Sequence, residues 1–311
     1  MASTASSAKE KLISRANSRR PSSIALALGL GAVLLFWSFN YIVGKVTLSH
    51  MDALTLAVLR AELVAVLLLI IYLTRRERTP LRGRDIWVFT YLGFFGYVVN
   101  QGCFIVGLGS TTSSHSAVLI ASSPIMILLL ASAMKLESLT LAKLLGMTLC
   151  FTGVVILETE HGSPMHSPLL TGDLVTLAGV IGFSAYAVLG KKVARTYDTV
   201  SMNTFNAAAA AILLMPLAVR QGLRLDWRSV GWVGWTGFLY MASLSAVAGY
   251  LLFYWLLRHM DASRVVAVNY FQPVLVVLLS IPLLGERPTA RLVVSAALVI
   301  LGVYWAERVP A

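Results

Sequence analysis

Charge is what this sequence has least of. Only 13% of its 311 residues are Asp, Glu, Lys or Arg, while 58% are apolar. A soluble domain carries about 25% charged and about 45–50% apolar residues, so an ordinary soluble enzyme is excluded. A disordered chain needs the opposite composition, and a coiled coil needs far more charged positions. Cysteine is equally scarce. Cys103 and Cys150 both sit inside apolar runs, which excludes a disulfide framework and a thiolate metal cluster. Acidic residues number 14 against 25 basic ones, a net charge of +11. The basic residues form short clusters between long apolar runs, so the surplus does not point to nucleic acid.

What is abundant is apolar runs of membrane-spanning length. A helix crosses the hydrocarbon core with about 20 mostly apolar residues. Such runs occur at 24–44, 53–73, 86–107, 114–134, 141–157, 171–190, 201–219, 231–256, 265–283 and 289–306. They are continuous rather than alternating, which rejects a β-barrel. The expected fold is an all-α membrane protein with ten transmembrane helices. Residues 1–23 are polar and basic. The first apolar run is too long for a signal peptide and ends in Trp37, Asn40 and Tyr41, so it reads as a retained helix behind a flexible cytoplasmic tail. With the N-terminus inside, 18 Lys and Arg fall on inner segments and 6 on outer ones, with Arg60 inside a span. The expected location is therefore the inner (plasma) membrane, multi-pass, with both termini cytoplasmic.

The chain also repeats itself. A shift of 149 carries Pro124 to Pro273, Glu137 to Glu286, Thr140 to Thr289 and Gly153 to Gly302. A shift of 146 carries Ser38 to Ser184, Gly44 to Gly190, Lys45 to Lys191 and Asp52 to Asp198. Five spans per copy is an odd number, so the second copy enters from the opposite side. The expected organisation is two inverted five-helix repeats, 24–160 and 161–311, with a site between them near the bilayer midplane.

Phe36-Trp37-Ser38-Phe39-Asn40 with Gly44-Lys45 resembles the first-helix signature of the drug/metabolite transporter superfamily. The runs Ala117 to Pro124 and Ala262 to Pro273 are similar to its duplicated EamA domain. So are Leu136 to Thr140 and Leu284 to Thr289, which follow them. The resemblance implies a ten-helix carrier of small metabolites, often an amino-acid exporter, with the aromatic amino-acid exporters as the nearest type. It also matches Arg60 to a family arginine, read as structural. The alternative function is a multidrug or quaternary-ammonium exporter. A channel and an intramembrane enzyme are the other classes weighed. No carbonyl filter or charged ring suggests a channel, and no His-Glu-x-x-His or Gly-x-Ser-x-Gly suggests an enzyme. No cofactor is expected. The expected partners are a small-molecule substrate and the lipid bilayer, with the chain a monomer or weak homodimer.

Polar groups inside spans are costly and often functional. The repeat logic lines the cavity with the first, third, fourth, sixth, eighth and ninth helices. Candidate substrate-binding residues are Trp37, Asn40, Tyr41, Tyr97, Asn100, Gln101, Ser122, Ser123, Tyr186, Tyr250, Asn269, Tyr270 and Gln272. Stacking and hydrogen bonding by this set suit a neutral, zwitterionic or aromatic ligand. Pro124 and Pro273 are kink or hinge positions, where Ser122 and Ser123 would help to free a backbone carbonyl toward the cavity. Lys45, Lys191, Glu62 and His115 are gate or proton-site candidates, against the plainer reading of Lys45 and Lys191 as snorkelling helix ends. Glu137 and Glu286 read as N-terminal charges of the helices that follow them. No Asp is expected in a span interior, so no coupling residue is evident.

Overall fold

The computed structural model describes residues 21–136, 140–158, 168–190, 193, 196–260, 265 and 268–308, without the side chains of 158, 168, 257, 258, 268–270, 307 and 308. The expected flexible tail therefore lies almost wholly outside the described residues. The described residues form helices and turns, with no strand among them. In chain order the helices are α1 (Ser23–Leu48), α2 (Ala53–Thr74), α3 (Gly83–Ser110), α4 (Ser113–Ala133), α5 (Leu141–Glu158), α6 (Pro168–Gly190), α7 (Thr199–Arg224), α8 (Gly231–Leu256, continuing to His259), α9 (Val268–Leu284) and α10 (Ala290–Arg308). Seven of these are long and apolar enough to cross a membrane, and α5, α9 and α10 are shorter apolar helices.

The helix starts follow ordinary capping chemistry. Asp52 Oδ1 accepts from Thr55 N at 3.0 Å, and Asp198 Oδ1 accepts from Val200 N at 3.1 Å and Ser201 N at 3.3 Å. Ser22, Thr112, Thr140 and Thr289 accept from backbone N–H groups of the first turns of α1, α4, α5 and α10. These side chains satisfy donors that a helix cannot satisfy internally.

Two helices depart from α geometry at matching places. Within α3, residues Phe94–Gln101 are π-helical, and within α8 so are Met241–Ala248. The second stretch begins at 241 against 94, 147 residues on, which falls between the two repeat offsets. π turns inside helices are rare and are frequent at functional sites. Here both run beside the same cavity.

Helix pairing depends on small residues. The broadest contacts join α3 to α6, α5 to α10 and α2 to α7. A Cβ added at Gly146 or at Gly302 would stand 2.5 Å from the other residue's carbonyl oxygen. The α5 and α10 backbones meet that closely because neither position carries a side chain.

Interhelical bonds sort the helix ends into two faces. On one, Glu286 reaches Ser113 and Ser114, and Thr55 Oγ1 donates to Gln221 at 3.5 Å. On the other, Arg75 Nη1 lies 2.6 Å from Asp198, and Tyr197 donates to Asp85 at 2.6 Å. They are called the Ser49 face and the Arg75 face after their first turns.

Candidate functional site

A cavity of about 720 Å³ lies between the two halves of the chain. From the first half it takes Trp37, Asn40 and Tyr41 on α1, Arg60 on α2, Asn100, Gln101 and Phe104 on α3, and Ser123 and Pro124 on α4. From the second half come Phe183 and Tyr186 on α6, Ser245, Tyr250, Phe253 and Tyr254 on α8, and Gln272 on α9. Most of the expected set is thus gathered on one wall system. Toward the Arg75 face the cavity reaches helix ends, at Lys143, Gly190, Met202 and Ala306. Among the described residues no first or last helical turn lines it at the Ser49 face.

Aromatic rings build much of the wall. Trp37 packs against Tyr250 and Phe253, with ring centroids 5.4 and 5.1 Å away, and its indole N–H donates to Ser245 O at 3.3 Å. Tyr41 meets Phe104 edge to face at 5.2 Å. The Tyr186 hydroxyl accepts from Asn206 Nδ2 at 3.4 Å. Such rings offer flat apolar contact with a polar rim.

Arg60 is the group that sequence reading undervalued. It is 4% exposed and lines the cavity. Nε donates to Met241 O at 3.1 Å, at the start of the α8 π segment. Nη1 donates to Gln101 Oε1 at 2.8 Å, and Gln101 Nε2 in turn donates to Tyr250 Oη at 3.4 Å. No described carboxylate lies within ion-pair distance of Arg60, and Nη2 has no protein partner among the described residues. No described Asp or Glu lines the cavity. The charge inside an apolar run was the available signal. The missing counter-ion is visible only in three dimensions.

Several expected residues lie elsewhere. Tyr97 lines a small adjoining pocket behind Arg60 and Gln101 rather than the main cavity. Ser122 is buried, and its hydroxyl donates to Leu119 O at 2.6 Å. Ser123 donates to Ile120 O, the carbonyl left without a helical donor by Pro124. Ser123 thus consumes the freed carbonyl instead of exposing it, while Leu119 O also accepts from Ser122 N at 3.1 Å. Pro273 lies inside α9 next to Gln272, off the cavity wall. The side chains of Asn269 and Tyr270 are outside the described residues, as are Lys191 and Glu137.

The gate and proton candidates separate in the same way. His115 is buried off the cavity, with Nδ1 2.9 Å from Asp173 Oδ2. Asp173 is fully buried within α6, against the expectation of no Asp in a span interior, and also accepts from Thr111. Its partners come from the α3–α4 region, about sixty positions away in sequence. Glu62 lines neither the main cavity nor the small adjoining pocket, and its Oε1 is buried without a partner. Lys45, in the last turn of α1, stands near the Glu286 carboxylate.

Glu286 itself corrects an expectation. It precedes α10 but does not serve that helix, whose first turn is capped by Thr289. Its carboxylate crosses to α4, accepting from Ser113 N at 2.8 Å, Ser114 N at 3.2 Å and Ser114 Oγ at 2.6 Å. A carboxylate at a helix N-terminus meets unpaired donors and a favourable dipole. The bond ties the two halves together at the Ser49 face. At the Arg75 face, Asp198 joins α7 to the α2–α3 turn through Arg75 and Thr79. Partial burial works to raise its carboxyl, but bonds from Ser201, Arg75 and Thr79 outweigh this and hold it well below the usual carboxylate range.

Among the described residues no group of His, Cys, Asp and Glu could hold a metal ion. The sequence pattern of the EamA-like transporter family matches residues 23–159 and again 170–307. An uncharacterized transporter of Archaeoglobus fulgidus is 25% identical over 280 residues, 88% of this chain and 94% of its own. A Salmonella typhimurium protein named a probable amino-acid metabolite efflux pump is 26% identical over 284 residues, 88% of this chain and 91% of its own. A solved crystal structure superposes with a TM-score of 0.60, covering 92% of this chain and 97% of its own at 20% identity, a likeness of fold alone.

Proposed function

The chain belongs to the EamA-like transporter family, and on that premise we propose that it exports a small metabolite, an amino acid, across the inner (plasma) membrane by alternating access. In this reading α5, α9 and α10 cross the bilayer with the seven longer helices. They complete ten spans in two inverted repeats, 24–160 and 161–311, behind a cytoplasmic tail at 1–23. Corresponding helices pair across the halves, α2 with α7 and α5 with α10. The matched π segments and the matched caps Asp52 and Asp198 support the same symmetry. Inverted repeats give two near-equivalent arrangements of one chain, one open to each side.

Arg75, Arg76, Arg78, Arg82, Arg84, Lys135 and Lys143 all belong to the Arg75 face. The positive-inside bias makes that face cytoplasmic. The cavity that reaches its helix ends is then inward-facing, with Glu286 holding the outer side shut. The chain works as a monomer or weak homodimer.

The observation that carries the reading is the cavity wall shared by both halves, aromatic and amide in character. The Salmonella relative's printed name supports an amino acid as cargo. Trp37→Ala, Asn100→Ala and Gln101→Ala are each expected to abolish uptake into proteoliposomes while membrane insertion stays intact. Normal transport by all three variants would remove the cavity from the mechanism.

A further inference from the structure

Burying a charge without a partner is expensive, and the usual remedy is a counter-ion. Arg60 has only neutral protein partners: one backbone carbonyl and one carboxamide oxygen. A guanidinium presents its donors as a planar fork that matches a carboxylate in two parallel bonds. Here part of that fork, Nη2, has no protein partner, and the residue forms part of the cavity wall.

The surroundings reinforce the point. Gln101 and Tyr250 hold the guanidinium through a chain of bonds, which fixes its direction without neutralising it. Lys143 is the other cation on the wall. It is itself buried, 6% exposed, in the first turn of α5 at the Arg75 face, and has an interaction of its own. The deep part of the cavity therefore holds one unneutralised positive charge among aromatic rings.

We infer that Arg60 anchors the transported molecule by its carboxylate, and that the cavity selects carboxylate-bearing compounds with an apolar or aromatic remainder. This rests on the transport reading and narrows it, since quaternary ammonium and other purely cationic compounds meet like charge and no counter-charge. Phosphate esters share the anionic chemistry. Their greater charge calls for more donors than one partly occupied guanidinium supplies.

The test uses the purified full chain and matched probes: L-phenylalanine, 3-phenylpropanoate, phenethylamine and inorganic phosphate. Binding is read as thermal stabilisation and as quenching of tryptophan fluorescence. The two carboxylates should bind, and phenethylamine and phosphate should not. Arg60→Gln should weaken 3-phenylpropanoate about 30-fold or more, as expected for truncating one side of a buried charge pair. Arg60→Lys should recover part of that loss. Equal binding of phenethylamine and 3-phenylpropanoate, carboxylate binding unchanged in Arg60→Gln, no carboxylate binding, or preference for phosphate would each overturn the assignment. If carboxylates bind through Arg60 but no amino acid is transported, the anchor stands and the export reading falls.

Discussion

Two buried charged positions in this molecule are handled in opposite ways. Asp173 on α6 is wrapped by His115 and Thr111, away from the cavity, and its site is complete. Arg60 on α2 is as deeply buried but faces the cavity, and its protein partners are neutral. A buried polar pair that is locally satisfied joins helices. A buried charge left without a counter-charge beside an opening is a place for something to bind. The difference tells fold from function more sharply than polarity alone, since both positions interrupt apolar helices.

The comparison can be broken by substitution. The largest expected effect is on stability. His115→Leu takes the imidazole from the buried Asp173 carboxylate, and should cost about 3 kcal/mol with substrate affinity unchanged, measured by denaturation and by ligand titration. Arg60→Gln should do the reverse, losing about 2 kcal/mol of carboxylate binding with little change in unfolding. If both variants lose stability and affinity alike, the two positions are not different in kind.

Smaller effects sharpen the contrast. Asp198→Ala removes an N-cap and the partner of Arg75, and should cost about 1 kcal/mol without touching affinity. The Asp198 carboxyl is held low, so its contribution is present above the ordinary carboxylate value and is lost only as pH falls toward its own depressed one. The difference from wild type should therefore be flat between about pH 5 and 8, as read from unfolding at several pH values. Ser122→Ala should leave transport unaltered, because its hydroxyl serves Leu119 O rather than the cavity.

Much of the architecture was legible in the sequence. The apolar run at 53–73 became Ala53–Thr74, and that at 231–256 became a helix with the same first residue. Length and hydropathy set such boundaries locally. Amides and aromatics inside spans are conspicuous in a sequence, and Trp37, Asn40, Asn100, Gln101 and Tyr250 line one cavity. What was hidden depends on distant partners. Asp173 lies near the start of its helix, and only the fold brings His115 to it. Glu286 looked like the cap of its own helix, yet its side chain serves α4. No period in the sequence announces the π segments.

The central claim is that this cavity carries its ligand across by exposing it to each side in turn. Counterflow in proteoliposomes tests that most directly, with the purified full chain, unlabelled phenylalanine inside and trace labelled phenylalanine outside. The account predicts saturable, transient accumulation of label above equilibrium, lost in Arg60→Gln. Entry that is linear in concentration and indifferent to the internal load would contradict it.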